Sequence, residues 1–191
     1  YGEPAPVPGL DEVTDFALSS TTGCALDPLG RIRCWGYNSY GGRGLGHTRL
    51  VPAEEGATLI EGLPAAQGIA GAGGHLCALT ASGVYCWGRN LSQAVSASEE
   101  EIVTTPSLVF IDSPGTFSGL TLGSTDLSAY SCAYRGTEAF CWGDSGWGLF
   151  GGGAARNQTV VEPTAVLGMI DRYRQVAGFA GHMCALGEEG I

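Results

Sequence analysis

Six of the seven cysteines fall in pairs nine or ten residues apart: Cys24 with Cys34, Cys77 with Cys86, and Cys132 with Cys141. Thiols at such positions can form disulfides or hold a metal ion. Zinc sites favour cysteines two to four residues apart, with a second such pair or histidines nearby, and none of these pairs has that spacing. In an antiparallel hairpin, positions that sum to a constant face each other. Pairing 77 with 86 sets 79 opposite 84 and leaves residues 80–83 as the loop. Pairing 132 with 141 puts Gly136-Thr137 at the tip, a two-residue turn with glycine first. Pairing 24 with 34 leaves Pro28-Leu29-Gly30, with glycine where a bulge needs positive φ. Loops of three different makes thus each bring two cysteines face to face. Three disulfides are expected, with metal binding and free buried thiols as the rival readings. Disulfides imply an oxidising compartment, so the expected location is extracellular, cell-surface or periplasmic. Cys184 is left over and is expected to be free or to pair between chains.

Other groups with chemical potential yield blander readings. Gly143-Asp144-Ser145-Gly146 matches the nucleophile motif of chymotrypsin-like proteases, and His75 precedes it. A triad needs Ser, His and Asp within hydrogen-bond reach of one another. The motif, however, sits directly after Cys141-Trp142, where related stretches read Gly36-Tyr37-Asn38 and Gly88-Arg89-Asn90, so it reads as a loop of the repeat. His75 and His182 stand two residues before a cysteine, where Thr22 and Tyr130 stand elsewhere. That substitution pattern suits a polar residue bonding its own repeat better than a shared metal ligand. Gly42-Arg43-Gly44-Leu45-Gly46 is glycine-rich, but no helix pattern follows it, which removes the phosphate-loop reading. Asn90-Leu91-Ser92 and Asn157-Gln158-Thr159 are glycosylation sequons. Trp35, Trp87 and Trp142 recur at one position and read as packing residues.

The elements that must carry the cysteine pairs repeat. First cysteines fall at 24, 77, 132 and 184, in steps of 53, 55 and 52 residues. Each period reads as an apolar strand, a Cys strand, a turn, a Cys-Trp-Gly strand, a variable loop and a strand marked by proline, as in Thr105-Pro106-Ser107-Leu108-Val109 and Glu162-Pro163-Thr164-Ala165-Val166. Four strands per repeat of about 53 residues predict an all-β fold of four-stranded antiparallel propeller blades. The expected division is one partial propeller domain over 1–191. Residues 1–10 close a preceding repeat, three full repeats span 11–64, 65–115 and 116–170, and 171–191 form a truncated one.

Composition narrows the partners. The chain has nine arginines, no lysine, 19 acidic residues and a formal charge of -10. Without an arginine cluster, such a chain repels phosphate backbones, so no nucleic-acid partner is expected. No apolar run approaches the roughly 18 residues of a membrane helix, and no membrane insertion is expected. The chain opens without the basic region and apolar core of a signal peptide, and so reads as a mature or excised segment. Lack of lysine beside abundant Ala and Gly suits a bacterial coding bias.

Val176-Ala177-Gly178 followed by Gly181-His182-Met183-Cys184-Ala185-Leu186, and Val84-Tyr85-Cys86-Trp87-Gly88-Arg89-Asn90, resemble repeats of the regulator of chromosome condensation family. Tyr37-Asn38-Ser39-Tyr40-Gly41 and Gly44-Leu45-Gly46 are similar to its Asn-x-x-Gly-x-Leu-Gly loop, whereas loops 89–104 and 144–160 depart from it. The paired cysteines resemble the secreted bacterial branch. The resemblance implies part of a seven-bladed ring. It also implies a non-enzymatic protein-binding module, since family propellers, including a bacterial inhibitor of β-lactamases, use their loop faces in that way. Nucleotide exchange belongs to nuclear members and is not carried over. No cofactor is expected. A carbohydrate-binding propeller is the alternative and a hydrolase the remote one. The expected contact residues are Trp147, Leu149 and Phe150 in the loop after the third Trp-Gly, with Tyr37, Asn38 and Tyr40 after the first. Open blade edges predict self-association.

Overall fold

The computed structural model describes all residues except 1, 2, 4, 51–54, 110, 112–115, 149, 151–157, 167–171 and 189–191. The described strands form three four-stranded antiparallel sheets and one two-stranded sheet. The first holds β1 (Asp15–Leu18), β2 (Thr22–Leu26), β3 (Ile32–Gly36) and β4 (Thr58–Leu59); the second holds β5 (Ala66–Ala72), β6 (His75–Thr80), β7 (Gly83–Arg89) and β8 (Ile102–Val109). The third holds β9 (Gly119–Ser124), β10 (Ala129–Arg135), β11 (Glu138–Asp144) and β12 (Thr159–Ala165), and β13 (Tyr173–Phe179) pairs with β14 (His182–Gly187). Strands within each sheet pair in sequence order, and β1 packs on β5, β5 on β9 and β9 on β13. The first strand of every sheet is therefore innermost and the fourth outermost. These are the blades of a β-propeller.

The hairpins explain the cysteine spacing. Cys24 faces Cys34, Cys77 faces Cys86 and Cys132 faces Cys141, each pair bridged with Cα atoms 4.1 Å apart. Gly30, at φ +78°, closes the first loop, and Gly136-Thr137 form the tip of the third. The second loop is shorter than its sequence suggests. Thr80 also pairs with Gly83, its hydroxyl donating to the Gly83 carbonyl at 2.9 Å and accepting from the Ser82 N–H, so only Ala81-Ser82 turn the chain.

The Cys-Trp-Gly signature has a backbone cause. Gly36, Gly88 and Gly143 hold φ of +92°, +107° and +100°, and a Cβ on them would lie 2.6, 2.4 and 2.5 Å from the carbonyl oxygens of Thr21, Gly74 and Ala129. Glycine alone fits there. Register against the outer strand shifts across Trp87 and again across Trp142, marking a bulge at each tryptophan. Pro106 and Pro163 lie in the outermost strands, the edge position that tolerates a residue without an N–H.

Apolar cores lie between sheets. One joins the first two sheets around Leu26, Ile32, Ile60, Ile69, Leu76 and Trp87; another joins the second and third around Leu79, Val84, Val103, Phe117, Leu122 and Trp142. Strand β6 is buried along its whole length because each face meets a different neighbour. Among the described residues the first sheet packs on one other sheet, and on its far side Phe16 and Leu18 stay 64% and 59% exposed while Ala17 between them is buried. At the other end, Tyr130 is wedged where a Cβ on Gly123 or Gly178 would strike its ring. No described helix is long and apolar enough to cross a membrane.

Candidate functional site

The loops after each Trp-Gly leave the blades at one end, and an asparagine organises two of them. Asn38 Oδ1 accepts from the Arg43 N–H at 3.1 Å, while its amide donates to the His47 and Arg49 carbonyls. Asn90 Oδ1 accepts from the Val95 and Ser96 N–H groups at 3.0 and 3.1 Å, and its amide reaches the carbonyls of Ser96, Ser98 and Glu100. The peptide units so held present their carbonyls to the next blade. Trp87 Nε1 donates to the Gly42 carbonyl at 2.7 Å, and Trp142 Nε1 to the Ala94 carbonyl at 2.8 Å. Each tryptophan thus packs its blade and also reads the loop of the preceding one. Arg43 points inward, its guanidinium donating to the Gly56 carbonyl and to Thr58, and burial lowers its pKa against the opposing pull of Glu55. In the third blade Ser145 stands at the asparagine position, its hydroxyl donating to the Gln158 carbonyl at 2.8 Å.

This geometry separates the expected contact residues. Tyr37 is 65% exposed, and Tyr40 is partly covered by the Arg89 guanidinium, 5.1 Å above its ring. Between Tyr40 and the second blade lies a shallow cavity of about 200 Å³, lined by Tyr40, Arg89, Leu91, Glu101 and Ile102. Asn38 is fully buried, its amide committed to the loop. Phe150 is 5% exposed and packs edge-on against Tyr130, among Cys132, Cys141, Val160 and Met183. Leu149 and the side chain of Trp147 lie outside the described residues. Tyr40 and Arg89 are thus brought together and Tyr37 is exposed on the same loop as Tyr40, whereas Asn38 and Phe150 face inward. Arg89 went unnoticed in the sequence; its signal was its place one residue before the organising Asn90, matching Tyr37 before Asn38.

The structure also shows a Ser–His pair that lies far apart in the chain. His75 Nε2 is 3.1 Å from Ser131 Oγ, and both side chains are fully buried. The Ser131 hydroxyl donates to the Ala94 carbonyl at 2.9 Å, an arrangement that suits the tautomer with the proton on His75 Nε2. His75 Nδ1 makes no hydrogen bond of good geometry among the described residues. Burial lowers the His75 pKa to about 4, only partly opposed by the nearby backbone of Tyr130 and Ala72. The expectation that His75 bonds its own blade is corrected, since its partner belongs to the next one. With no solvent access and its serine proton directed to a carbonyl, the pair is built to join blades. Ser145 of the protease-like motif is likewise buried, its hydroxyl directed to Gln158. Cys184 and His182 are exposed on β14. Among the described residues no group of three or more His, Cys, Asp or Glu is placed to hold a metal ion.

No family model matches the chain, and no curated protein matches it. Solved structures do. The chain is similar to a crystal structure of Kap60 bound to yeast RCC1 (Prp20), with a TM-score of 0.74 and 19% identity over 97% of this chain and 44% of that one. It is similar to Prp20p from Saccharomyces cerevisiae, described with its binding to Gsp1p and histones, with a TM-score of 0.69 and 18% identity over 95% of this chain and 46% of that one. Human WBSCR16 gives a TM-score of 0.58 and 17% identity over 96% of this chain and 60% of that one. At such identities the likeness establishes the fold, and the chain spans less than half the length of the two yeast structures.

Proposed function

We propose that this chain is part of an extracellular, non-enzymatic β-propeller that binds a protein through the loop end of its first two blades. The observation that carries the reading is the Arg89 guanidinium stacked over Tyr40, with Tyr37 exposed on the same loop. Aromatic and arginine side chains are the residue types that dominate protein interfaces, and here they stand on loops held rigid from below by Asn38 and Asn90. A preorganised loop loses little entropy on binding. The similar yeast propellers are described with protein partners, Kap60, Gsp1p and histones, which supports a protein as the class of ligand. Three disulfides support an oxidising compartment.

A photo-activatable residue at position 37, cross-linked in the protein's native fluid, tests this. A discrete protein adduct that fades in Arg89→Ala supports the reading. A glycan is the competing ligand, although the buried Asn38 amide removes a polar group that a sugar would need. Binding on a glycan array that Tyr37→Ala abolishes would replace the protein reading.

The open ends suggest an assembly. Phe16 and Leu18 form an apolar face on the first sheet, and β14 ends the last sheet with an unpaired edge among the described strands. Proteins seldom leave such edges bare. We infer that these ends are covered by further blades, either of the same ring or of a second copy.

A further inference from the structure

A second surface lies on the outer wall, between the outermost strands of two blades and bordered by residues 96–100 of the second blade's loop. Between β8 and β12, the outermost strands of the second and third blades, a groove of about 600 Å³ opens, within the range of ligand-binding sites. Its lining includes Val103 and the buried Trp142 at its base, and its sides carry Leu108 and Val161, 51% and 37% exposed. Glu100 and Glu162 stand on the two rims, and no basic residue lines it among the described residues. One wall is fixed in advance, because the Asn90 amide holds the Ser96, Ser98 and Glu100 carbonyls.

We propose that this groove docks an extended segment of a partner protein in which apolar residues alternate with arginine or lysine. Two edge strands, β8 and β12, run along the groove, so its shape suits an extended chain, with side chains alternating between floor and rim. The apolar floor takes one set of side chains; the carboxylates on opposite rims take the other. A second copy of this chain is a poor occupant, because it has no lysine and a formal charge of -10, and like charges on rim and ligand repel. Anionic nucleic acid and lipid headgroups are disfavoured for the same reason.

The probe is a fluorescent ten-residue peptide alternating leucine and arginine, compared with a twin alternating leucine and glutamate, both titrated against the whole chain by anisotropy. The arginine peptide is expected to bind and the glutamate twin to stay free. Affinity should fall about tenfold or more in Leu108→Asp and in Glu162→Arg, fall again in high salt, and be unchanged in Tyr40→Ala, since Tyr40 does not line the groove. Leu108 and Glu162 are exposed, so both variants should retain the parent's melting curve, and Glu162→Arg stands alone if Leu108→Asp does not. Absence of binding, or equal binding by parent and Glu162→Arg, overturns the groove while leaving the loop-end reading untouched.

Discussion

Asn90 and Trp142 hold opposite ends of one peptide unit: Asn90 Oδ1 accepts from the Val95 N–H at 3.0 Å, and Trp142 Nε1 donates to the Ala94 carbonyl at 2.8 Å. Asn38 and Trp87 treat the unit between Gly42 and Arg43 in the same way. The loop of one blade is thereby set by the core of the next, so the proposed contact surface inherits its shape from the joints beneath it. Asn90→Ala is expected to cost about 2–3 kcal/mol, since it strips several buried backbone groups of partners, and Trp142→Phe about 1–2 kcal/mol in lost bonding. A double-mutant cycle in urea should give a coupling of at least about 0.5 kcal/mol. Strict additivity would show that the two residues act independently.

The His75–Ser131 joint should make stability depend on acid. Unfolded, the imidazole titrates near 6.5; buried, it takes a proton only near pH 4. The unfolded chain therefore binds a proton before the folded one does. Stability is fully present above about pH 6.5 and falls as the pH drops towards 4, by on the order of 3 kcal/mol for the whole step. His75→Gln should remove this slope from a urea-midpoint series between pH 4 and 7. An unchanged slope would place the acid sensitivity elsewhere.

Gly88 and Gly62 both have positive φ but differ in their surroundings. A Cβ on Gly88 would strike the Gly74 carbonyl at 2.4 Å, whereas one on Gly62 meets nothing within 4 Å. Gly62→Ala should cost about 1–2 kcal/mol for the backbone conformation alone, and Gly88→Ala more than about 3 kcal/mol or a failure to fold. Equal costs, read from denaturation midpoints, would mean that the strand opposite Gly88 yields.

Much of the fold was legible because it repeats. The step between first cysteines fixed the blade length, and hairpin register brought each second cysteine opposite its partner. The proline-marked strands were also readable, since only an edge accommodates a missing N–H. What stayed hidden depends on contacts between blades. Nothing local to His75 points to Ser131, 56 residues away. Asn38 looked like a surface residue because a polar side chain in a loop is usually solvated; here the loop folds around it. Phe150 looked available for binding, yet the gap between the third and fourth sheets receives its ring. Among the described residues, the first blade's outer strand is the short Thr58–Leu59.

The exposed face of β1 predicts association. Phe16→Glu, on a strand whose opposite face carries the core, should leave the fold intact and reduce self-association in light scattering over a range of concentrations. A parent chain that stays monomeric throughout would rule out a second copy as the cover and leave further blades of the same ring.

The central claim is that the loop end of the first two blades is a protein-binding surface. Its most direct test is hydrogen–deuterium exchange of the chain alone and with the protein captured by cross-linking at position 37. Protection is predicted at residues 37–46 and 89–93, with Arg89→Ala losing it. Protection confined to β1 and β14, with the loops exchanging as in the free chain, would contradict the claim.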